Sequence, residues 1–297
     1  APAHTRMLVP WAERVAELSQ GRIAIEVFPA MTLGGTPPEL AAQVRDGVVD
    51  IAWTVNGYTP GLHPRSEVME LPGVYGNDAR AAGLALHDMR DALAADYAGV
   101  HLLWLHTHGG HALQTRDRAL RSPSDAAGLN LRTPSRTGAW SIEALGATAV
   151  ALAVPELPQA LQRGTVDGAL IPFEIIPPLQ LQEQTGYQIE GAQGMRFGTA
   201  VFNVSMNLER WNALPEDIRE ILARASDRDW WGEVGEIWME NEAGGLGVAT
   251  RAGNIHVVLD PDETAAMMAA LAPVADRWVS DVGALGIAGA ALVARAR

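Results

Sequence analysis

One residue type in one setting is the clearest lead to chemistry: Arg132, in the stretch Gly128-Leu129-Asn130-Leu131-Arg132-Thr133-Pro134-Ser135. Leu129 and Leu131 alternate with polar residues, the period of a strand. Pro134 stops that strand, since proline has no N–H to give to a ladder. Thr137 and Gly138 then open a helical run towards Leu145. Arg132 therefore falls near the carboxyl end of a strand and just before a helix N-terminus, where open α/β sheets bind ligands. A guanidinium there suits an acid, because its planar fork gives one carboxylate two parallel charge-assisted bonds. A surface or structural arginine is the other reading, and this stretch alone does not separate the two. Arg136, four residues on, has no assigned role beyond the edge of such a site.

Two more loops follow strands. Val48–Trp53 reads as a strand and breaks into Thr54-Val55-Asn56-Gly57-Tyr58-Thr59. Asn56 and Tyr58 offer hydrogen bonds to a ligand, although Asn-Gly is also an ordinary turn pair. Val166–Ile171 reads as a strand and leads into Pro172-Phe173-Glu174. There Phe173 can stack on a ligand and Glu174 can accept its hydroxyl or ammonium protons. Equally, Phe173 can fill core and Glu174 can face water. Trp53 and Asn203 complete the candidates on this side, with His4 at the edge.

His106, His108 and His111 lie within six residues and invite a metal. Zinc sites usually add Asp, Glu or Cys at turn or helical spacing, and none is near, so no metal is expected. His111, beside a Gly-Gly pair, is expected to line a cleft. The chain has no cysteine, which removes thiol catalysis, disulfides and Cys-ligated metals. It has no GxSxG, no Walker A loop and no GxGxxG after a strand. Glu240 and Glu242 read as the charged face of an exposed helix. No catalytic constellation and no cofactor site emerge.

The elements that must position these residues follow from length and pattern. The chain has 297 residues and is 48% hydrophobic, enough for one large or two ordinary domains with a real core. Its net charge of −13 argues against nucleic acid and anionic membrane surfaces. An anionic ligand must then be caught by a local positive site. No apolar run of about 18 residues appears, so no membrane insertion is expected. Helical spacing at Leu8, Trp11, Val15 and Leu18 precedes an alternating strand at Ile23, Ile25 and Val27. Helices are expected over Pro37–Arg45 and Ala79–Tyr97, and a buried strand over Val100–His106. Ala112–Asp125 reads as a solvated crossing segment. Ala149–Val154 and Gly198–Asn207 read as strands. One long helix from Leu214 through Trp238 is placed to brace two lobes, with its tryptophans in the core. Ile255–Leu259 is a last strand and the alanine-rich tail is helical. The chain also repeats itself. Gln43–Asp50 and Ala160–Asp167 both read as a helix, a glycine cap and a strand opening on Val-Asp. Two copies of one unit point to two similar α/β lobes.

These pieces resemble a family. Gly21-Arg22-Ile23 with Val27-Phe28-Pro29, Leu33-Gly34, Gly47–Ala52, Glu70-Leu71-Pro72, Gly128–Arg132, Ala144–Ala147, Gly164–Gly168, Pro172 and Trp211–Pro215 match, in order and spacing, the DctP-type solute-binding proteins of tripartite ATP-independent periplasmic (TRAP) transporters. The resemblance implies a two-lobed α/β periplasmic-binding-protein-like fold with a hinge and a long helix spanning both lobes. Lobe I is expected over 1–110 plus 200–245, and lobe II over 111–199 plus 246–297. It implies a periplasmic monomer without catalysis that delivers a small carboxylate-bearing organic acid to TRAP membrane permease subunits. An enzyme on a two-lobed scaffold and a sensor subunit are the alternatives. The family arginine at Arg132 grips the carboxylate, and positions matching Val154, Ile171 and Pro172 lie around the same cleft. An arginine used by sialic-acid binders falls at about Ala112, which speaks against that ligand. The resemblance also implies a strand ahead of the first helix, before the point where this sequence starts, and a trimmed signal peptide.

Overall fold

In the computed structural model, which describes residues 3–297, nine strands form two sheets. The first sheet is antiparallel throughout, in the order β1 (Ile51–Val55), β8 (Val201–Asn207), β2 (Val100–Thr107). The second has six strands, in the order β5 (Thr148–Ala151), β4 (Asn130–Thr133), β6 (Gly168–Ile171), β3 (Ala112–Thr115), β7 (Tyr187–Glu190), β9 (Ile255–Val258). Each has its own apolar core. Trp104, Val204, Leu86, Trp230 and Trp231 belong to that of the first sheet. Leu113, Leu131, Leu170 and Ile189 belong to one face of the second, and Ala112, Ala169, Ile171 and Phe173 to the other.

The chain passes between the sheets at 108–111 and returns at 197–200. The two crossings are tied together: His111 N–H donates to the Gly198 carbonyl at 2.7 Å, and Phe197 N–H to the His111 carbonyl at 2.9 Å. Helix Arg228–Arg251 joins the same two regions. Its first half packs Trp230, Trp231, Val234 and Trp238 into the first core, and Ala249 near its end enters the core around Phe173. Gly245 permits that approach, since a Cβ there would lie 2.0 Å from the Phe173 carbonyl oxygen.

Several elements differ from what the sequence pattern predicts. Ile23–Val27 is extended but joins no ladder; alternation specifies a face, whereas a strand needs a neighbour to bond. Ala112–Asp125 is not a solvated crossing. Ala112–Thr115 is a wholly buried strand in the middle of the second sheet. Its polar members are paired: the Gln114 amide donates to the Pro172 carbonyl at 2.8 Å. The long helix is two, Glu216–Ala225 and Arg228–Arg251, because Asp227 caps the second by accepting from Trp230 N–H. The last two helices, Pro273–Gly283 and Gly289–Ala296, depart from the expected second-lobe assignment of 246–297. Val274, Trp278, Val282 and Leu292 pack into the first core. The repeated units do recur as helix, left-handed glycine and strand, with φ +74° at Gly47 and +68° at Gly164.

Candidate functional site

A cavity of about 630 Å³ opens between the sheets, within the range of small-ligand sites. Alternation along β4 buries Leu131 in the core and turns Arg132 to the opposite face, into this cavity. Arg132 is 1% exposed. Its Nε and Nη2 both donate to the Leu152 carbonyl, at 3.0 and 2.8 Å, where the chain leaves β5. That contact fixes the fork and leaves its other end free. Among the described residues no carboxylate pairs with it. Burial lowers its pKa, a trend the neighbouring Tyr58 hydroxyl opposes. Tyr58 reaches across from the loop after β1, where its hydroxyl accepts the Val154 N–H at 2.9 Å.

The first sheet supplies an aromatic wall. Trp53 stacks on Phe202 (5.4 Å between centroids, 5° between planes), Phe202 on His106, and His106 on Trp238. Trp53, Phe202 and Trp238 line the cavity. His106 lies within the stack: its Nε2 accepts the Trp53 indole N–H at 2.9 Å, so its own proton sits on Nδ1, directed at the Thr107 carbonyl. Burial pushes its pKa down to about 3.

His108 and His111 line the cavity at the crossing and are both almost fully buried. His108 Nδ1 accepts the Gly110 N–H at 3.0 Å. Burial, then the mutual repulsion of the two rings and the nearby guanidiniums, depresses both pKa values, that of His111 to about 3. Glu174 is 5% exposed and also lines the cavity. Burial first, and the Glu242 carboxylate second, push its pKa up to about 8. At neutral pH the cavity thus holds one permanent charge, on Arg132, among neutral polar groups.

Of the residues expected here from sequence, His4, Trp53, Tyr58, His111, Arg132, Val154, Ile171 and Glu174 line the cavity. Four do not. Asn56 and Asn203 bond to each other at 2.7 Å and on to Tyr97 and Ser205, in a buried polar network behind the site. Phe173 is core, with the Arg196 guanidinium 4.4 Å above its ring. Arg136 makes a two-bond pair with Glu67, both at 2.7 Å, and a further bond to Asp281. Glu242 is not on an exposed face either; it is buried, pairs with Arg196 at 3.0 Å and accepts the Glu174 N–H at 3.1 Å. Glu240 is exposed. Sequence reasoning missed His108, Phe202 and Trp238. His108 was visible in the histidine cluster, and Phe202 in its strand. Trp238 read only as core, and it serves as both core and wall. Among the described residues no three His, Asp or Glu side chains are grouped to hold a metal.

The model of the DctP family, bacterial extracellular solute-binding protein family 7, matches residues 1–281. The fold superposes with a TM-score of 0.96 on a marine-metagenome TRAP solute-binding protein from an unidentified microbe. That protein is specific for aromatic acid ligands and was solved with metahydroxyphenylacetate; identity is 33%, covering 100% of this chain and 93% of that one. A TRAP solute-binding protein from Rhodoferax ferrireducens, solved with copurified benzoate, gives the same TM-score of 0.96 at 34% identity, covering 100% and 92%. The uncharacterized protein y4mM of Sinorhizobium fredii is 29% identical over 241 residues, 77% of this chain; the match spans 44% of that longer protein.

Proposed function

Since this chain belongs to the DctP family of bacterial extracellular solute-binding proteins, periplasmic TRAP-type binding proteins and not enzymes, we propose that it captures an aromatic monocarboxylate and hands it to TRAP permease subunits. The observation that carries this reading is Arg132, a buried guanidinium without a protein counter-ion on the wall of a ligand-sized cavity. A buried charge left unpaired is costly, and a ligand carboxylate is the missing partner. The free end of the fork offers it two bonds.

The aromatic class follows from the remaining walls. Trp53, Phe202, Trp238, Ile171 and Val154 are apolar, and flat rings stack well against such a surface. A dicarboxylate would need a second cation, and neither His108, His111 nor Glu174 supplies one near neutral pH. Similarity to the two aromatic-acid complexes, both above 30% identity, supports the same choice. The two sheets act as lobes divided near residues 110 and 200, in a protein that works as a monomer. Their closure excludes water and strengthens the Arg132 ion pair.

A thermal-shift and calorimetric panel tests this. Benzoate-type acids are expected to raise the melting temperature, since a ligand at 100 times its Kd adds about 2.7 kcal/mol. Succinate and glucuronate are expected to give no comparable shift. Tighter binding of either than of every aromatic acid tested would overturn the proposal.

A further inference from the structure

The aromatic-acid reading leaves two polar groups in the cavity without a task. His111 is 2% exposed, and among the described residues neither ring nitrogen meets a hydrogen-bond partner; only its backbone is bonded. His108 is 3% exposed, and its Nδ1 is occupied by the Gly110 N–H. An imidazole nitrogen that accepts a backbone N–H carries no proton, so in the neutral ring the proton is on Nε2. That N–H too has no protein partner. The two rings are neighbours, with centroids 4.7 Å apart. Buried polar groups in native proteins are almost always satisfied, and an open pair in a ligand cavity is satisfied by the ligand.

Sheet register sets where this pair stands relative to the clamp. β4 and β3 flank β6, with Arg132 opposite Ala169 and Ala112 opposite Ile171. Arg132 and His111 therefore straddle one strand, two strand spacings apart, about 9.5 Å between backbones. A single arene held at one end by its carboxylate places a ring substituent towards the histidines.

We propose that His108 and His111 form a hydroxyl-reading pair, so that the preferred ligand is a ring-hydroxylated aromatic acid. His108 Nε2–H donates to the hydroxyl oxygen, and the hydroxyl donates to the unprotonated nitrogen of His111. A hydroxyl is both donor and acceptor and satisfies both rings at once. A second carboxylate would set its lone pairs against the His111 acceptor. A hydrogen or methyl substituent would leave both nitrogens unpaired, the situation in which polar sites discriminate most strongly.

The inference rests on the aromatic-acid reading, and the test separates the two. Calorimetry on the wild-type chain compares benzoate, 3-hydroxybenzoate, 4-hydroxybenzoate and 3-methylbenzoate. Two hydrogen bonds predict that the better hydroxy acid binds roughly 10- to 100-fold tighter than benzoate. His111→Phe is expected to reduce that ratio to near one, and His111→Asn, which keeps a donor and an acceptor, to restore part of it. If benzoate and 3-methylbenzoate bind as tightly as both hydroxy acids, the hydroxyl-reading pair is wrong while the aromatic-acid function stands. If none of the four binds, both fall. Should His111→Phe fail to fold, the wild-type series alone decides.

Discussion

Replacing Arg132 tests the core of the reasoning, because the binding and stability effects have opposite signs. The side chain is 1% exposed and lacks a counter-ion among the described residues. In the free protein this charge is a liability, since an ion in a low-dielectric site costs several kcal/mol after relaxation. Its two bonds to Leu152 at 3.0 and 2.8 Å offset part of that cost. Arg132→Met keeps much of the volume, removes the charge and leaves one carbonyl unpaired, a loss of roughly 1–3 kcal/mol. The free variant is therefore expected to melt at or above the wild-type temperature. With ligand the sign reverses: an acid entering the variant buries a carboxylate with nothing to neutralise it, at roughly 3–5 kcal/mol. That is about a 100- to several-thousand-fold loss in affinity. Arg132→Lys keeps the charge but loses the fork, and is expected to fall between. Calorimetry with benzoate or 3-hydroxybenzoate, paired with melting curves with and without ligand, reads both effects. Wild-type-like affinity in Arg132→Met would refute the clamp. A free variant several kcal/mol less stable would refute the claim that the guanidinium is held there for the ligand.

Three further outcomes follow from the same contacts. Glu174 is held protonated by burial and by Glu242, with its pKa near 8; raising the pH through 8 places a negative charge in the cavity. Affinity for a carboxylate should fall there, and in Glu174→Gln that loss should be absent; an identical alkaline decline in both would show that Glu174 is not responsible. Stability should fall as the pH drops below about 6.5, because His63, His106, His108 and His111 are depressed by burial and only the unfolded chain takes up their protons. Glu70 and Glu174, raised to about 7 and 8, act oppositely between about pH 4.5 and 8, so the net slope is about two protons, roughly 2–3 kcal/mol per pH unit near pH 5.5; a flat melting temperature from pH 7 to 5 would contradict this. Arg136→Ala leaves Glu67 unpaired in a largely buried site, and is expected to cost roughly 2–4 kcal/mol of stability while ligand affinity at 25 °C stays within a few-fold of wild type; a hundred-fold affinity loss would return Arg136 to the binding site.

The sequence by itself determined the family, the two-unit α/β organisation and the position of Arg132. Each rests on local signals: alternation ended by a proline, a repeated glycine cap, and spaced motifs. Those signals survive folding because they act over a few residues, and β4 duly turns Arg132 away from the core that receives Leu131. Tertiary structure alone decided which neighbours share the cavity. Asn56 and Tyr58 lie on one turn, yet one joins a network behind the wall and the other reaches across to Val154. Phe173 and Glu174 are adjacent, yet one is core and the other lines the site. Arg132 and Arg136 are four residues apart, and the second is claimed by Glu67, 69 positions away. Glu242 looked solvated until Arg196 and the loop after β6 closed over it. In every such case the deciding partner is distant in sequence. A side chain's type limits what it can bond to, but only the packed chain settles which partner takes it, and so which polar groups remain open for a ligand.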